Sequence, residues 1–525
     1  MSMAEPPSSR RSAPPKGPRI AFLAAYMNNA YEWDVWRGAR AAVEERGGVA
    51  IGFAGCGVDD PAPDHQARAT VFELLHSSNV DGILCLTSVV GQYAGVERTE
   101  SWLASKGVPV CSIGPAARLP SVAVDDATGI TQLMAHLIEH HDHSRIAFIK
   151  GTESNQEAQR RLAAYHRSLA NHGLPLDPRL VFDGDFTAAA GTRAMTELFD
   201  KRQVPVGELD AVVACNDYMA FGAIDELERR RLSVPEQVAV VGFDDIMPAR
   251  VHSPPLTTVR QPLEELGRQG ALRLMDLLAG KPAEGALTLP TELVLRNSCG
   301  CVPTSRFVLP REVVDTSEES DRRFRDVLRA ALASELHGEP GTFAMTIEPF
   351  LREIAASGTT DLDAGRRFAD EFCTRMRLAR GDVVFERLAH LGHVLHTRMF
   401  GPQAYLSTTL AEYLPTFEID ECVVSEIAGK PKAGSPLASL KLAFGFDMST
   451  LQPHMVTFDG RDLVPPDFAS LRRRSAFVMP LQCGAQPLGI AVVPAVNQDG
   501  AFFETLAELF SIVLKVLEVR RAGGG

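Results

Sequence analysis

The chain has 525 residues, 45% hydrophobic and 23% charged, the composition of a soluble globular protein of about two to four domains. No uninterrupted apolar run reaches the roughly 18 residues of a membrane helix. A net charge of −13 at pH 7 repels nucleic-acid phosphates and argues against broad DNA binding.

Residues 1–18 are rich in Pro, Ser and Arg and read as a disordered tail. The apolar stretch that follows is short and lacks a small-x-small cleavage site, so it reads as a first strand and not as a signal peptide. From Arg19 to about Gly300 apolar strands alternate with amphipathic helices: "RIAFLAAY", "VWRGARAAVEERGG", "VAIGFAG", "QARATVFELLHSSN", "DGILCLTS", "RTESWLASKG" and "VPVCSIG". The alternation restarts after Asp125 and runs to "VAVVGFDD". Continuous Val/Ile/Leu strands separated by helices imply parallel sheets covered on both faces. The fold class is therefore α/β, with two lobes of similar build. Ligands of such sheets bind beyond the carboxyl ends of the strands, which places Asn28, Thr87, Ser88, Asn216 and Asp244 around one cleft.

Past Cys301 the texture changes. Residues 302–404 read as a linker and helical signalling region, with Phe368, Phe372, Met376, Val384, Leu388, Leu391, Leu395 and Met399 recurring at spacings of three and four. Residues 405–521 read as an α+β domain: "ECVVSEIA", "SLKLAFGFD", "HMVTFDG", the hairpin "SAFVMPLQCGAQPLGIAVVPAV" and a last helix. Residues 522–525 read as a frayed end.

Nine cysteines, an odd number, lie mostly in or beside apolar runs, a usage that fits a reducing cytoplasm. Cys299 and Cys301 form the only close pair, and two thiols without a nearby His or further Cys make a poor zinc site. His136 and His140, in "HLIEHHDHSR", share a helical face that permits metal binding. Neither group is assigned a metal.

Nine motifs carry a family resemblance in order: "VWRGARAAVEERG", "VDGILCL", "VPVCSIG", "SVAVDDATG", "HSRIAFIKG", "RRLAAYHRSLANHGL", "AVVACNDYMAFGAIDEL", "VAVVGFDDI" and "PPLTTVRQP". On these, residues 19–301 resemble the effector-binding domain of the LacI/GalR family, a two-lobed periplasmic-binding-protein-like fold of type I. The resemblance implies that Asp244, Asn216 and Arg161 contact a small polar effector, with Asn28, Asn29 and Tyr31 reaching it from the other lobe and Thr87 and Ser88 in a similar setting. A carboxylate accepts two hydroxyl hydrogens and an arginine donates a fixed fork, so a sugar, polyol or nucleoside suits this set. The alternative for Arg161 is a surface ion pair with Glu157; for Asp245, a structural role. Gly114 stands where many relatives place an aspartate.

The chain departs from operator-binding members in having only 18 residues before Arg19, too few for a helix-turn-helix headpiece. The expected output is therefore a protein partner, a kinase, a cyclase or a DNA-binding protein, and not direct DNA contact. The family's habit implies a homodimer. Residues 405–521 resemble a GAF-like sensory domain through "FVMPLQCGAQPLGIAVV" and the final helix. Closure is expected to be taken up near Pro115–Val124, Arg250–Thr257 and Gly285–Leu289. It would pass through helices from about Glu318 to Phe400.

Adjacent Asp244 and Asp245 should diverge at a strand end, which does not suit an acid/base pair. There is no P-loop, no nucleotide-binding glycine fingerprint, no HExxH and no G-x-S-x-G. A non-enzymatic sensor without a cofactor is the reading. The alternatives are a regulator that touches DNA itself, through a tail holding Arg10, Arg11 and Lys16, and a scaffold that binds no small molecule.

Overall fold

The computed structural model describes residues 17–282, 285–301, 413–427, 437, 439–447, 457–465, 468, 471–496, 498 and 500–523. The helical stripe from Phe368 to Met399 and the relay from Glu318 to Phe400 lie outside these residues.

The first lobe contains β1 (Arg19–Ala24), α1 (Ala30–Glu45), β2 (Val49–Ala54), α2 (Pro63–Ala69), β3 (Gly82–Leu86), α3 (Thr87–Val90), α4 (Gly95–Ala104), β4 (Val110–Ile113) and β5 (Ser121–Val124). The second contains α5 (Asp126–Ala135), β6 (Ile146–Ile149), α6 (Gln156–Asn171), β7 (Val181–Phe182), α7 (Ala188–Thr196), β8 (Ala211–Ala214), α8 (Asp217–Arg229), β9 (Ala239–Asp244), α9 (Met247–Val251) and β10 (Thr257–Arg260). The chain then returns to the first lobe with α10 (Leu263–Leu278), which packs on α1, and β11 (Ala286–Leu289). It crosses once more to β12 (Glu292–Val294). Strand order is β11-β5-β4-β3-β1-β2 in one lobe and β12-β10-β9-β8-β6-β7 in the other. Pairing is parallel throughout except β10 with β12. The central apolar strands are buried on both faces, as their Val/Ile/Leu runs require, while the edge strands β11 and β12 stay partly exposed.

The three crossings between lobes fall at Asp125, at Gln261–Pro262 and at Pro290–Thr291. The segment Arg250–Thr257, expected from sequence as a hinge, lies wholly inside the second lobe, because β10 pairs with β9 before the chain leaves. The Thr291 hydroxyl donates to Asp125 O at 3.1 Å, and Asp125 N donates to Leu289 O at 3.0 Å, so the first and third crossings are tied together.

The C-terminal elements are β13 (Glu421–Ile427), β14 (Ser439–Asp447), β15 (Thr457–Asp459), β16 (Ala476–Cys483), β17 (Gln486–Pro494) and α11 (Gly500–Gly523). Their antiparallel sheet, β16-β17-β13-β14-β15, does not stand apart. β16 pairs in parallel with β2, Ala476 opposite Ile51, Phe477 opposite Gly52 and Val478 opposite Phe53, and makes one sheet of eleven strands. The sequence reading joined the two parts only through a helical linker; the described residues join them directly.

Gly52 explains how the strands meet: a Cβ there would lie 2.5 Å from the Phe477 ring. Around this seam the tilted rings of Trp36 and Phe477 lie 4.8 Å apart, those of Phe477 and Phe503 4.5 Å, and Trp33 lies 6.1 Å from Phe503. The Arg68–Glu504 ion pair (2.8 Å) is largely enclosed, and Met27 N donates to Glu504 at 3.2 Å.

Candidate functional site

The cleft between the lobes has an empty volume of about 580 Å³ and is lined chiefly by Tyr31, Glu157, Arg161, Asn216, Asp244 and Gln261. Each reaches it for a local reason. Asn29 caps α1, its Oδ1 accepting from Glu32 N at 2.8 Å while its Nδ2 donates to Glu32 Oε1 at 2.7 Å. This capping arrangement aims the first turn of α1, and with it Tyr31, at the cleft. Asn216 caps α8 in the same way, accepting from Met219 N at 3.0 Å and donating to Phe186 O at 3.0 Å.

Arg161 is buried one turn into α6. Its Nε donates to Asp126 Oδ1 at 2.8 Å, its Nη1 to Cys215 O at 2.7 Å, and its guanidinium lies 3.7 Å over the Phe243 ring. The surface pair with Glu157 weighed from sequence is replaced by this buried pair with Asp126. Glu157 lines the cleft instead. Burial, and then the negative charge of Asp126, push the Glu157 carboxyl above the usual range.

Asp244 ends β9 at φ 126°, followed by Asp245 at φ 56°. Two successive non-glycine residues at positive φ store strain, a pattern found at ligand clamps. The two carboxylates then part. Asp244 Oδ1 accepts from Gln261 Nε2 at 2.6 Å and faces the cleft, and burial pushes its carboxyl up. Asp245 points away and is held by Arg296 at 2.6 Å and Arg260 at 2.7 Å.

Two residues expected at the cleft do not line it. Asn28 is exposed, on the loop before the α1 cap. Thr87 is buried because α3 starts on it: its hydroxyl meets Ser112 Oγ at 2.5 Å and donates to Ile113 O at 3.1 Å. Ser88, one residue on, lines the cleft, as do Asn29 and Tyr31. Sequence reasoning missed Gln261, Tyr218, Asn155 and Phe186. Tyr218 stands two residues after Asn216 and Gln261 directly after β10, so position was the available signal.

Hydrogen bonds also cross between the lobes. Asn155 Nδ2 donates to Ser88 O at 2.9 Å, Ala30 N donates to Tyr218 Oη at 3.2 Å, and the Ser154 hydroxyl donates to Gln92 O. In this lining the carboxyls of Glu157 and Asp244 lie beside Arg161, which is already paired with Asp126, while the Glu32 carboxylate is turned to the Ala25 and Tyr26 backbone N–H groups and to Asn29. Gln261 Oε1 and Asp126 Oδ2 are buried acceptors with no hydrogen-bond partner.

A second cluster corrects the sequence reading of the histidines and of the close cysteine pair. A π-helical turn at His136–His140 brings His141 Nε2 to 3.2 Å from His136 Nε2, while the His140 ring packs 5.3 Å from the His136 ring. The fold brings Cys299 and Cys301 to the same place.

Residues 134–299 match the periplasmic binding protein-like domain family. The HTH-type transcriptional repressor CytR of Escherichia coli strain K12 is 33% identical over 247 residues, 47% of this chain and 70% of that protein. The HTH-type transcriptional regulator CelR of Thermobifida fusca is 36% identical over 233 residues, 43% of this chain and 65% of that one. A solved complex of the transcriptional regulator CelR with cellobiose aligns at 30% identity, covering 53% of this chain and 84% of that one with a TM-score of 0.45. These relatives are transcriptional regulators and not enzymes, and no helix among the described residues is long and apolar enough to cross a membrane. The chain belongs to the LacI/GalR family of transcriptional regulators and carries that family's effector-binding domain.

Proposed function

We propose that this chain senses a small, neutral, hydroxyl-rich molecule, a sugar, polyol or nucleoside, held between the lobes by Asp244, Asn216 and Arg161. The observation that supports this is the polar lining: the carboxyls of Glu157 and Asp244 beside an arginine already paired with Asp126, with the Gln261 carbonyl unfilled. Ligand hydroxyls can pair with such carboxyls whether these accept or donate, whereas the one cation, Arg161, is already spent on Asp126 and offers an anionic ligand little. Tyr31, Phe186 and Tyr218 offer flat apolar faces for a sugar ring or a base.

The route outward starts at two points. Asp244 is bonded to Gln261, which lies at the second crossing, so a ligand that competes for that carboxylate acts on the hinge. Helix α1 presents Tyr31 to the cleft and, within two turns, Trp33 and Trp36 to the seam with the C-terminal sheet. Closure then follows from a ligand's higher affinity for the closed arrangement. A homodimer, a GAF-like character for residues 405–521 and output through a protein partner complete the proposal, and the net charge of −13 favours a protein over DNA as the direct contact.

The test is a thermal-shift screen of the full chain against neutral sugars, polyols and nucleosides and their phosphates, with Asp244→Ala beside it. A ligand at about 100 times its Kd stabilises by about 2.7 kcal/mol, several degrees of Tm. A saturable shift from neutral compounds that Asp244→Ala abolishes is the expected result. A response confined to the phosphates, or one indifferent to Asp244→Ala, overturns the reading.

A further inference from the structure

The side chains of His136, His141, Cys299 and Cys301 converge on one point, on the second lobe and away from the cleft. His136 Nε2 lies 3.2 Å from His141 Nε2, 3.3 Å from Cys301 Sγ and 3.7 Å from Cys299 Sγ; His141 Nε2 lies 3.4 Å from Cys301 Sγ. All four donor atoms fall within 4.8 Å of one another. Hydrogen bonding alone does not account for this. An imidazole nitrogen has one in-plane site, either a lone pair or an N–H, and His136 Nε2 is approached by three atoms at once. A central cation satisfies all of them. With metal–nitrogen bonds of about 2.0–2.1 Å and metal–sulfur bonds of about 2.3 Å, a tetrahedral centre requires donor separations of roughly 3.3–3.8 Å; four of the six pairs here lie at 3.2–3.7 Å and the other two within 4.8 Å.

We propose that these four residues bind a structural zinc ion. Two imidazoles and two thiolates are the donors zinc prefers over calcium or magnesium, and two thiolates cancel its charge in a half-buried setting. Four protein ligands close the tetrahedron, which leaves no position for a reacting water and makes the site structural. Supporting groups are in place. The Thr257 hydroxyl lies 3.1 Å from Cys299 Sγ, placed to donate to it. Gly300, at φ 94°, makes the turn that brings both sulfurs to one side. The π-turn after α5 supplies the register that pairs His136 with His141. Cys299 belongs to a short turn that is itself sewn to β9 through Ser298, whose hydroxyl donates to Val240 O at 2.5 Å. The ion therefore clips residues 299–301, where the effector-binding domain gives way to the following segment, onto the end of α5. The clip fixes where that segment leaves the second lobe.

The experiment is elemental analysis of the full chain, purified under reducing conditions without a polyhistidine tag or added metal. One zinc per chain is expected, absent from the Cys299→Ser/Cys301→Ser double variant and reduced in His141→Asn. As a check independent of variant folding, the wild-type protein is stripped with a chelator, reduced and given Co(II). Visible d–d bands of tetrahedral cobalt and a thiolate-to-cobalt charge-transfer band are expected, and both should be displaced by one equivalent of zinc. Wild-type protein that holds no zinc and gives no tetrahedral cobalt spectrum overturns the proposal. So does zinc retained in full by the folded double-cysteine variant.

Discussion

The cleft between the lobes and the seam between β2 and β16 are both junctions of distant chain segments, but they are made of opposite materials. The seam joins backbone to backbone in a parallel ladder and covers it with Trp33, Trp36, Phe477 and Phe503. The cleft is crossed by single hydrogen bonds such as Asn155 to Ser88, between walls of carboxylates, amides and one arginine. Apolar burial is not recovered when such a junction opens, whereas polar groups exchange protein partners for water at little net cost. The first lobe and the C-terminal sheet are thus built to stay together, and the second lobe is the part built to move.

Breaking the seam should have the largest effect. Phe477→Ala removes a ring that is 1% exposed and leaves a cavity beside Trp36, costing about 3–5 kcal/mol. Chemical denaturation should show the loss, and limited proteolysis should cut residues 413–523 sooner, while any ligand response of the cleft survives. If the C-terminal strands resist proteolysis unchanged, the seam is not what holds them.

The adjacent aspartates sharpen the comparison within a single strand end. Asp245 is fully enclosed among Arg296, Arg260 and, at 3.6 Å, Arg250. Asp245→Ala should cost up to about 3 kcal/mol, below the full cost of a broken buried pair because Arg260 and Arg250 can rehydrate. Asp244→Asn should do the reverse. It removes a carboxylate whose burial opposes its charge, so denaturation midpoints should hold or rise. It also removes a charged acceptor from the cleft, and ligand affinity should fall by about 10- to 100-fold, the equivalent of a hydrogen bond to a charged group. Titration calorimetry with a compound found in the screen reads this. A variant that binds as wild type removes Asp244 from the site.

How much of this was legible in the sequence differs between the two junctions. The strands of both lobes were readable because parallel strands buried on both faces are runs of Val, Ile and Leu. Asp244, Asn216 and Arg161 were readable because ordered motifs carry them. Of the expected pairs Asn28 with Asn29 and Thr87 with Ser88, only the second of each lines the cleft: the α1 cap falls on Asn29, and α3 begins on Thr87 and turns it inward. Such differences are set by where a cap closes, which strand-end position does not specify. The seam was not legible, since Ile51 and Ala476 are brought together only by tertiary pairing. Its one trace was a glycine, Gly52, inside an otherwise apolar strand. The His/Cys cluster was hidden by chain distance and by the π-helical turn, which brings His141 onto His136 as well as His140.

The smallest expected effect tests whether burial in the cleft holds the Glu157 carboxyl protonated. Glu157 is buried with Asp126 nearby, and its carboxyl titrates above the ordinary glutamate value of 4.5. A carboxyl whose folded pKa is raised adds stability that is fully present below its unfolded pKa. That stability is lost as pH rises through the folded value. Native stability should therefore decline from above about pH 4.5 upward, by about 1.4 kcal/mol for each tenfold gain in proton affinity. Glu157→Gln keeps the shape and removes the ionisation, so its Tm should fall less steeply with pH than the wild type's over that window. The same substitution in a Phe477→Ala background should flatten the profile equally, because the seam residues around Phe477 do not share the cleft lining with Glu157 and distant sites act additively. A pH profile that Glu157→Gln leaves unchanged would mean that burial does not hold the Glu157 carboxyl protonated, and the cleft would then present it to a ligand as a charged acceptor.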